Sequence, residues 1–227
     1  MADKDDTKIT GGNSRLAYKT KGKKVNWKDK HIKFSELPKD IYVNFDWKET
    51  ECNEIDFSKC RYLIIWHHQN KEKDFNNLPE IDGLEYLEIN WSSSKSLIGL
   101  EKYKKLKRLE LHYCTKIESL KGIDKLHSGI EYLHINQSKK LKGHTDILKL
   151  KNLTTLCFND CGEIDSINFI KKLDNLVDFR FVNTNVLNGQ LSPLIEHPKL
   201  INAGFLNKRH YSHKQKEIDK ILKNKKV

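Results

Sequence analysis

Nowhere in its 227 residues does the chain hold a run approaching the ~20 consecutive apolar residues that a membrane-spanning helix needs. It opens on "MADKDDTKIT", polar and acidic with no apolar stretch behind it, so no secretory leader is expected. Its five cysteines are an odd number spread without a framework. That spacing points to reduced thiols and a cytoplasmic setting, not to a disulfide scaffold. The segment "GGNSR" (11–15) lacks the Lys-Ser/Thr ending of a phosphate-binding loop. Cys157 and Cys161, four apart in "CFNDC", have no second cysteine pair to complete a zinc set. His67-His68 and the pair His210/His213 also lack a companion cluster of ligand spacing, so no metal and no cofactor are expected. Glu110 and His134 could form an acid–base pair, but no nucleophile accompanies them. The chain therefore reads as non-enzymatic.

What the chain does carry is charge. Lys and Arg number 42 against 31 Asp and Glu, for a net charge of +11. Such a balance suits an anionic partner. Yet dense basic runs occur only near the ends, at Lys19 to Lys24 and Lys220 to Lys226. Elsewhere lysine reads as a solubilising surface. Nucleic-acid or anionic-surface binding through these termini stays open as a minor reading, and steep salt dependence would mark it.

The dominant signal is a repeat. An "LxxLxI" pattern recurs as Cys60-Leu63-Ile65, Leu84-Leu87-Ile89, Leu106-Leu109-Leu111 and Ile130-Leu133-Ile135. It continues as Leu153-Leu156-Phe158, Leu176-Phe179-Phe181 and Leu200-Ala203-Phe205, at intervals of 22 to 24 residues. A degenerate copy precedes these at Pro38-Ile41-Val43. The ninth position of successive units holds Ser92, Cys114, Ser138, Cys161 and Thr184. Further on, Ile117, Leu141, Ile164 and Leu187 recur at one fixed offset.

This pattern resembles the leucine-rich repeat, L-x-x-L-x-L-x-x-N/C-x-L in units of about 20–29 residues. The resemblance covers residues 38 to 211. It implies an α/β solenoid of seven to eight units with a parallel sheet on its concave face, capped at both ends. It also implies that Cys114 and Cys161 bond backbone inside the turns. The returns "DILKLKNL" (146–153) and "FIKKLDNL" (169–176) show apolar residues at helical spacing. Residues 1–24 are expected to be a flexible polar segment, and 25–211 the solenoid. Its N-terminal cap would use Val25, Trp27, Ile32 and Phe34. Residues 212–227 are expected to form a capping helix, with Ser212 and Gln215 at capping-box spacing.

Strand side chains alternate, so the positions between the core leucines should line the concave face. Tyr62, Trp66, Tyr86, Trp91, Tyr113 and Tyr132 all fall in the first half of the solenoid, among Glu85, Glu88, Glu110 and Glu131. Such an aromatic–acidic patch has the composition of a protein-binding hot spot for a basic or aromatic surface. The competing reading is that Tyr86 and Tyr132 pack on neighbouring strands as cross-strand ladders. The candidate partner-binding residues are Tyr62, Trp66, Tyr86, Glu88, Trp91, Glu110, His112, Tyr113, Tyr132, His134 and Arg180.

The chain further resembles stand-alone bacterial leucine-rich repeat proteins of the toxin-immunity type. It shares their Lys, Asn and Ile richness and an ending like "FLNKRHYSHKQKEID". That resemblance implies an antitoxin, monomeric when free, which neutralises a cognate toxin stoichiometrically. A regulatory scaffold subunit of an enzyme is the alternative.

Overall fold

The computed structural model describes residues 27–126 and 129–225, so the expected flexible segment 1–24 and Val25 lie outside the described residues. Eight parallel strands form one open sheet in strictly sequential order. They are β1 Tyr42–Asp46, β2 Tyr62–His68, β3 Tyr86–Ser92, β4 Arg108–His112, β5 Tyr132–Asn136, β6 Thr155–Asn159, β7 Asp178–Arg180 and β8 Asn202–Gly204. This is the leucine-rich repeat solenoid that the spacing predicts. A single unit cannot bury its own apolar face, so each contributes one strand and stacks its core on the next.

The stacking is in register. Leu63, Leu87, Leu109, Leu133, Leu156 and Phe179 lie opposite one another in turn. With Ile65, Ile89, Leu111, Ile135, Phe158 and Phe181, two residues on in each unit, they are wholly buried. The first unit is shorter than the sequence suggests. Tyr42 pairs with Tyr62, a step of 20, so Phe45 and not Val43 shares a row with Ile65. Phe45 therefore belongs to the core, where it is 7% exposed. At the last offset Ile164 bridges to Val186. Val186 is buried and Leu187 is 46% exposed, so the row slips by one residue there.

The returns wind as short 3-10 helices, among them Leu100–Lys102, Ile123–Lys125, His144–Lys149 and Ile167–Lys172. A 3-10 turn rises ~2.0 Å per residue, so it crosses the solenoid with fewer residues than an α-helix would. Gly99 and Gly122 begin two of them at φ of 95° and 99°, where an added Cβ would meet the backbone of the preceding return at 2.4 and 2.7 Å. The ninth-position side chains close the turns as the family resemblance implies. Cys114 Sγ donates to the carbonyl of His112 at 3.4 Å, and Cys161 Sγ to that of Ile135 at 3.3 Å. Ser138 and Thr184 hydroxyls donate to Cys114 and Phe158 carbonyls at 3.0 and 2.7 Å.

A short helix α1 (Ser192–Glu196) and the terminal helix α2 (Gln215–Asn224) finish the chain. Ile218 and Leu222 of α2 are buried, which covers the open end of the stack. The helix starts two residues later than the Ser212/Gln215 spacing predicts. Glu217 accepts from the Lys214 backbone N–H at 2.7 Å. Ser212 instead accepts from Leu191 N, and Gln215 accepts from Phe205 N. No helix among the described residues is long and apolar enough to cross a membrane.

Two stability outcomes follow from this packing. Leu109→Ala removes a fully buried side chain from the middle of the stack and should cost about 2–5 kcal/mol in urea unfolding. His144 is buried edge-on against Phe158, and its Nε2 has no hydrogen-bond partner among the described residues. Burial pushes its imidazole down from the usual value to about 4. The folded state thus refuses a proton that the unfolded state takes up below about 6.5. His144 should therefore cost nothing above that pH and erode stability as pH falls toward 4. His144→Phe should flatten the decline in unfolding midpoint between pH 7 and pH 4.

Candidate functional site

The parallel register turns sequence positions into columns on the concave face. Tyr42, Tyr62, Tyr86, Arg108, Tyr132, Thr155 and Asp178 form one. Ile64, Glu88, Glu110, His134, Cys157 and Arg180 form the next, and Trp66, Asn90, His112, Asn136 and Asn159 a third. The candidate residues separate into three groups on this lattice.

The first group is not exposed. Tyr62, Tyr86, Glu88, Glu110 and His112 are all buried. The reason is a segment that the sequence reading places as an end cap. Residues 27–37 lie across the concave face instead, and Ile32 is buried against Tyr62, Ile64 and Tyr86. Trp27, Phe34, Leu37 and Trp66 pack on the same cluster. Phe34 stacks on Tyr42 at 5.0 Å and tilts against Tyr86 at 5.3 Å. The Arg108 guanidinium, which the composition argument passes over, secures the crossing. Its Nη1 donates to the carbonyls of Trp27 and Asp29 at 3.1 and 2.8 Å.

Arg108 is also the centre of a buried polar network. Its Nε and Nη2 reach Glu110 Oε1 at 2.8 and 2.7 Å. Its carbon lies 3.9 Å from the Tyr132 ring centroid, over the ring face. His112 Nε2 donates to Glu110 Oε2 at 2.9 Å, and His134 Nδ1 stands 3.5 Å from the same oxygen. The Tyr86 hydroxyl donates to Glu88, which also accepts from Asn90 at 3.0 Å. A carboxylate this deep survives because several donors meet it.

Glu110, His112 and His134 each point one ligand atom into a space where all lie within 4.8 Å. The donor set does not suit a metal ion. Asn159 accepts from Val182 N through Oδ1 at 3.1 Å, which turns its Nδ2 toward His134 Nε2 at 3.0 Å. His134 Nε2 must then accept, so Nδ1 carries the proton and faces Glu110. A metal at Nδ1 would need that tautomer reversed, next to a guanidinium already holding the carboxylate.

The second group forms an aromatic rim at the strand ends. Trp91 and Tyr113 stack at 4.7 Å between centroids, His67 stacks on Trp91 at 5.2 Å, and Trp66 tilts against it at 5.6 Å. All four are half-buried. His67, Trp91, Tyr113, Gln137, Asp160 and Asn183 occupy one position of successive units, each in the left-handed region with φ between 51° and 60°. Asn and Asp tolerate that backbone well, but Trp and Tyr are strained in it. The same bend aims each ring out of the strand's alternation.

Of the three remaining candidates, Arg180 stands apart on β7, doubly bonded to Asp178 at 2.9 and 2.7 Å. Tyr132 and His134 bridge the network and the open face, being half-buried. Burial, with Glu51 beside it, raises the Cys52 thiol above its usual range. Burial pushes the thiols of Cys60, Cys114, Cys157 and Cys161 up to about 12.

No protein-family model matches the chain. It is similar to a probable disease resistance protein of Arabidopsis thaliana, 35% identical over 103 residues, which is 41% of this chain and 10% of that protein. A second probable disease resistance protein of the same plant is 38% identical over 114 residues, 46% of this chain and 14% of that protein. The chain thus spans a small part of the curated relatives it matches. Among solved structures it is similar to internalin C2 of Listeria monocytogenes, at 18% identity and a TM-score of 0.46, covering 65% of this chain and 72% of that one. An internalin of the same bacterium matches at 13% identity and a TM-score of 0.34, covering 67% and 64%.

The buried pair can be tested by a thermodynamic cycle. Arg108→Met leaves the Glu110 charge buried without its main partner and should cost about 3–5 kcal/mol in urea unfolding. Arg108→Met with Glu110→Leu should recover most of that loss.

Proposed function

We propose that this chain is a non-catalytic protein-binding module that grips one protein partner on its concave side, with the aromatic rim as the anchor. The observation that carries this reading is the strained backbone of Trp91 and Tyr113. Both hold φ of 56°, where bulky residues are disfavoured, at a position that Gln, Asp and Asn fill in later units. Strain of this kind persists where the surrounding structure enforces it and a site benefits. Here it displays two stacked, half-buried rings on a rigid sheet, which is the composition and rigidity of a binding hot spot.

In its finer form, the proposal is an immunity protein that silences a cognate toxin by covering it, one molecule to one, in a reducing cytoplasm. Free thiols at all five cysteines favour such a compartment. The rim suits an aromatic partner surface, and the Arg61–Glu85 and Lys107–Glu131 pairs at the opposite ends of the strands suit one of mixed charge. A scaffold subunit would use the same rim but leave its partner active.

The test is recovery of partner from the source organism with two baits, the native chain and Trp91→Asn/Tyr113→Asn. Asn keeps the left-handed backbone and deletes the rings. The expected result is one protein held one-to-one by the native chain. The variant should hold it at least 30-fold more weakly, with its unfolding midpoint within about 3 °C of the native chain. Equal recovery by both baits would move the site off the rim. Loss of the partner's activity at equimolar chain supports the neutralising form, and retained activity supports the scaffold.

A further inference from the structure

The apolar part of the concave face coincides with the footprint of residues 27–37. Outward positions under the segment are Tyr62, Ile64 and Tyr86. From β5 on, the same two columns carry Tyr132, Thr155 and Asp178, then His134, Cys157 and Arg180, a more polar set. Without its cover the first half would expose a contiguous aromatic and aliphatic patch, a surface that soluble chains rarely leave open. The cover is not a repeat and adds no strand to the sheet. It is an irregular stretch ending in a single 3-10 turn, Phe34–Glu36.

The way it is held is that of a bound ligand. Arg108 takes two backbone carbonyls, which any sequence could offer. Side chains supply the selection. Lys28 pairs with Glu131 at 3.6 Å, Ile32 fills the space over Tyr62 and Tyr86, and Phe34 stacks on Tyr42. Asp29, Lys30 and His31 between these anchors are exposed. A segment that pairs with no strand can open while the repeats stay folded.

We propose that this seat is a peptide-binding site which residues 27–37 occupy in cis, and that a short segment of a partner protein with the same chemistry takes it in trans. The fitting ligand has an aromatic residue followed by lysine, with an aliphatic and an aromatic residue five and seven positions after the first. Trp66 packs against both the seat and the rim, so a partner on the rim reaches the seat directly. The inference rests on the concave-side reading above only for the identity of the partner, since the seat itself is tested without one.

The experiment uses the full chain and a fluorescein-labelled peptide of residues 27–37, WKDKHIKFSEL. Binding is read by anisotropy and the state of the segment by amide exchange. The native chain is compared with Ile32→Asp/Phe34→Ala, and with the exposed single change Lys28→Glu should the double variant fold poorly. Exchange across 27–37 should rise at least tenfold in the variant, and the added peptide should bind it at least tenfold tighter than it binds the native chain. A scrambled peptide should bind at least tenfold more weakly than the native sequence. Faster exchange without tighter peptide binding would overturn the proposal, as would unchanged exchange or equal binding of the scrambled peptide. Peptide binding that survives Trp91→Asn/Tyr113→Asn supports the seat even if the rim reading fails.

Discussion

The whole molecule depends on parallel in-register stacking. Each strand pairs residue for residue with the same position of its neighbours, from Tyr42 against Tyr62 to Arg180 against Gly204. Since no unit can bury its own leucines, the stack exists only as a whole, and register makes every column chemically continuous. The dry rows of Leu, Ile and Phe follow from that, and so do the turn-closing thiols and hydroxyls and the aromatic rim. A column is the smallest unit on which a property can be built here.

The same constraint explains what was legible beforehand. Periodicity located seven of the eight strands in register, because a core row tolerates little besides Leu, Ile and Phe. It misplaced β1 by two residues, because Pro38-Ile41-Val43 imitates the pattern while Val43 and Phe45 are the residues that stack. The rim residues Trp66, Trp91 and Tyr113 were readable as projecting aromatics. Their left-handed backbone was not, since only neighbouring turns enforce it.

The covered half of the face was the larger miss. Trp27, Ile32 and Phe34 have no period, so nothing in their spacing said where they dock. A signal did exist. Tyr62, Ile64 and Tyr86 cluster in adjacent outward columns, and an apolar cluster facing outward calls for a cover. Arg108 sits in the same column, and a lone cation among tyrosines signals a buried partner such as Glu110. Composition read these residues as one exposed acidic–aromatic patch. Depth separates them into a buried network and an open rim.

The crossing segment changes how the solenoid should come apart under load. A pure repeat stack transmits force only between neighbours and peels one unit at a time from either end. Residues 27–37 tie Tyr42 of β1 to Arg108 of β4, with Lys28 reaching Glu131 at the edge of β5. Pulled from its ends, the chain should then behave as two mechanical elements. The first five strands are latched into a block that yields in one event once the latch slips. Among the described residues no crossing segment spans the last three, which end against α1 and α2 and unzip in small steps.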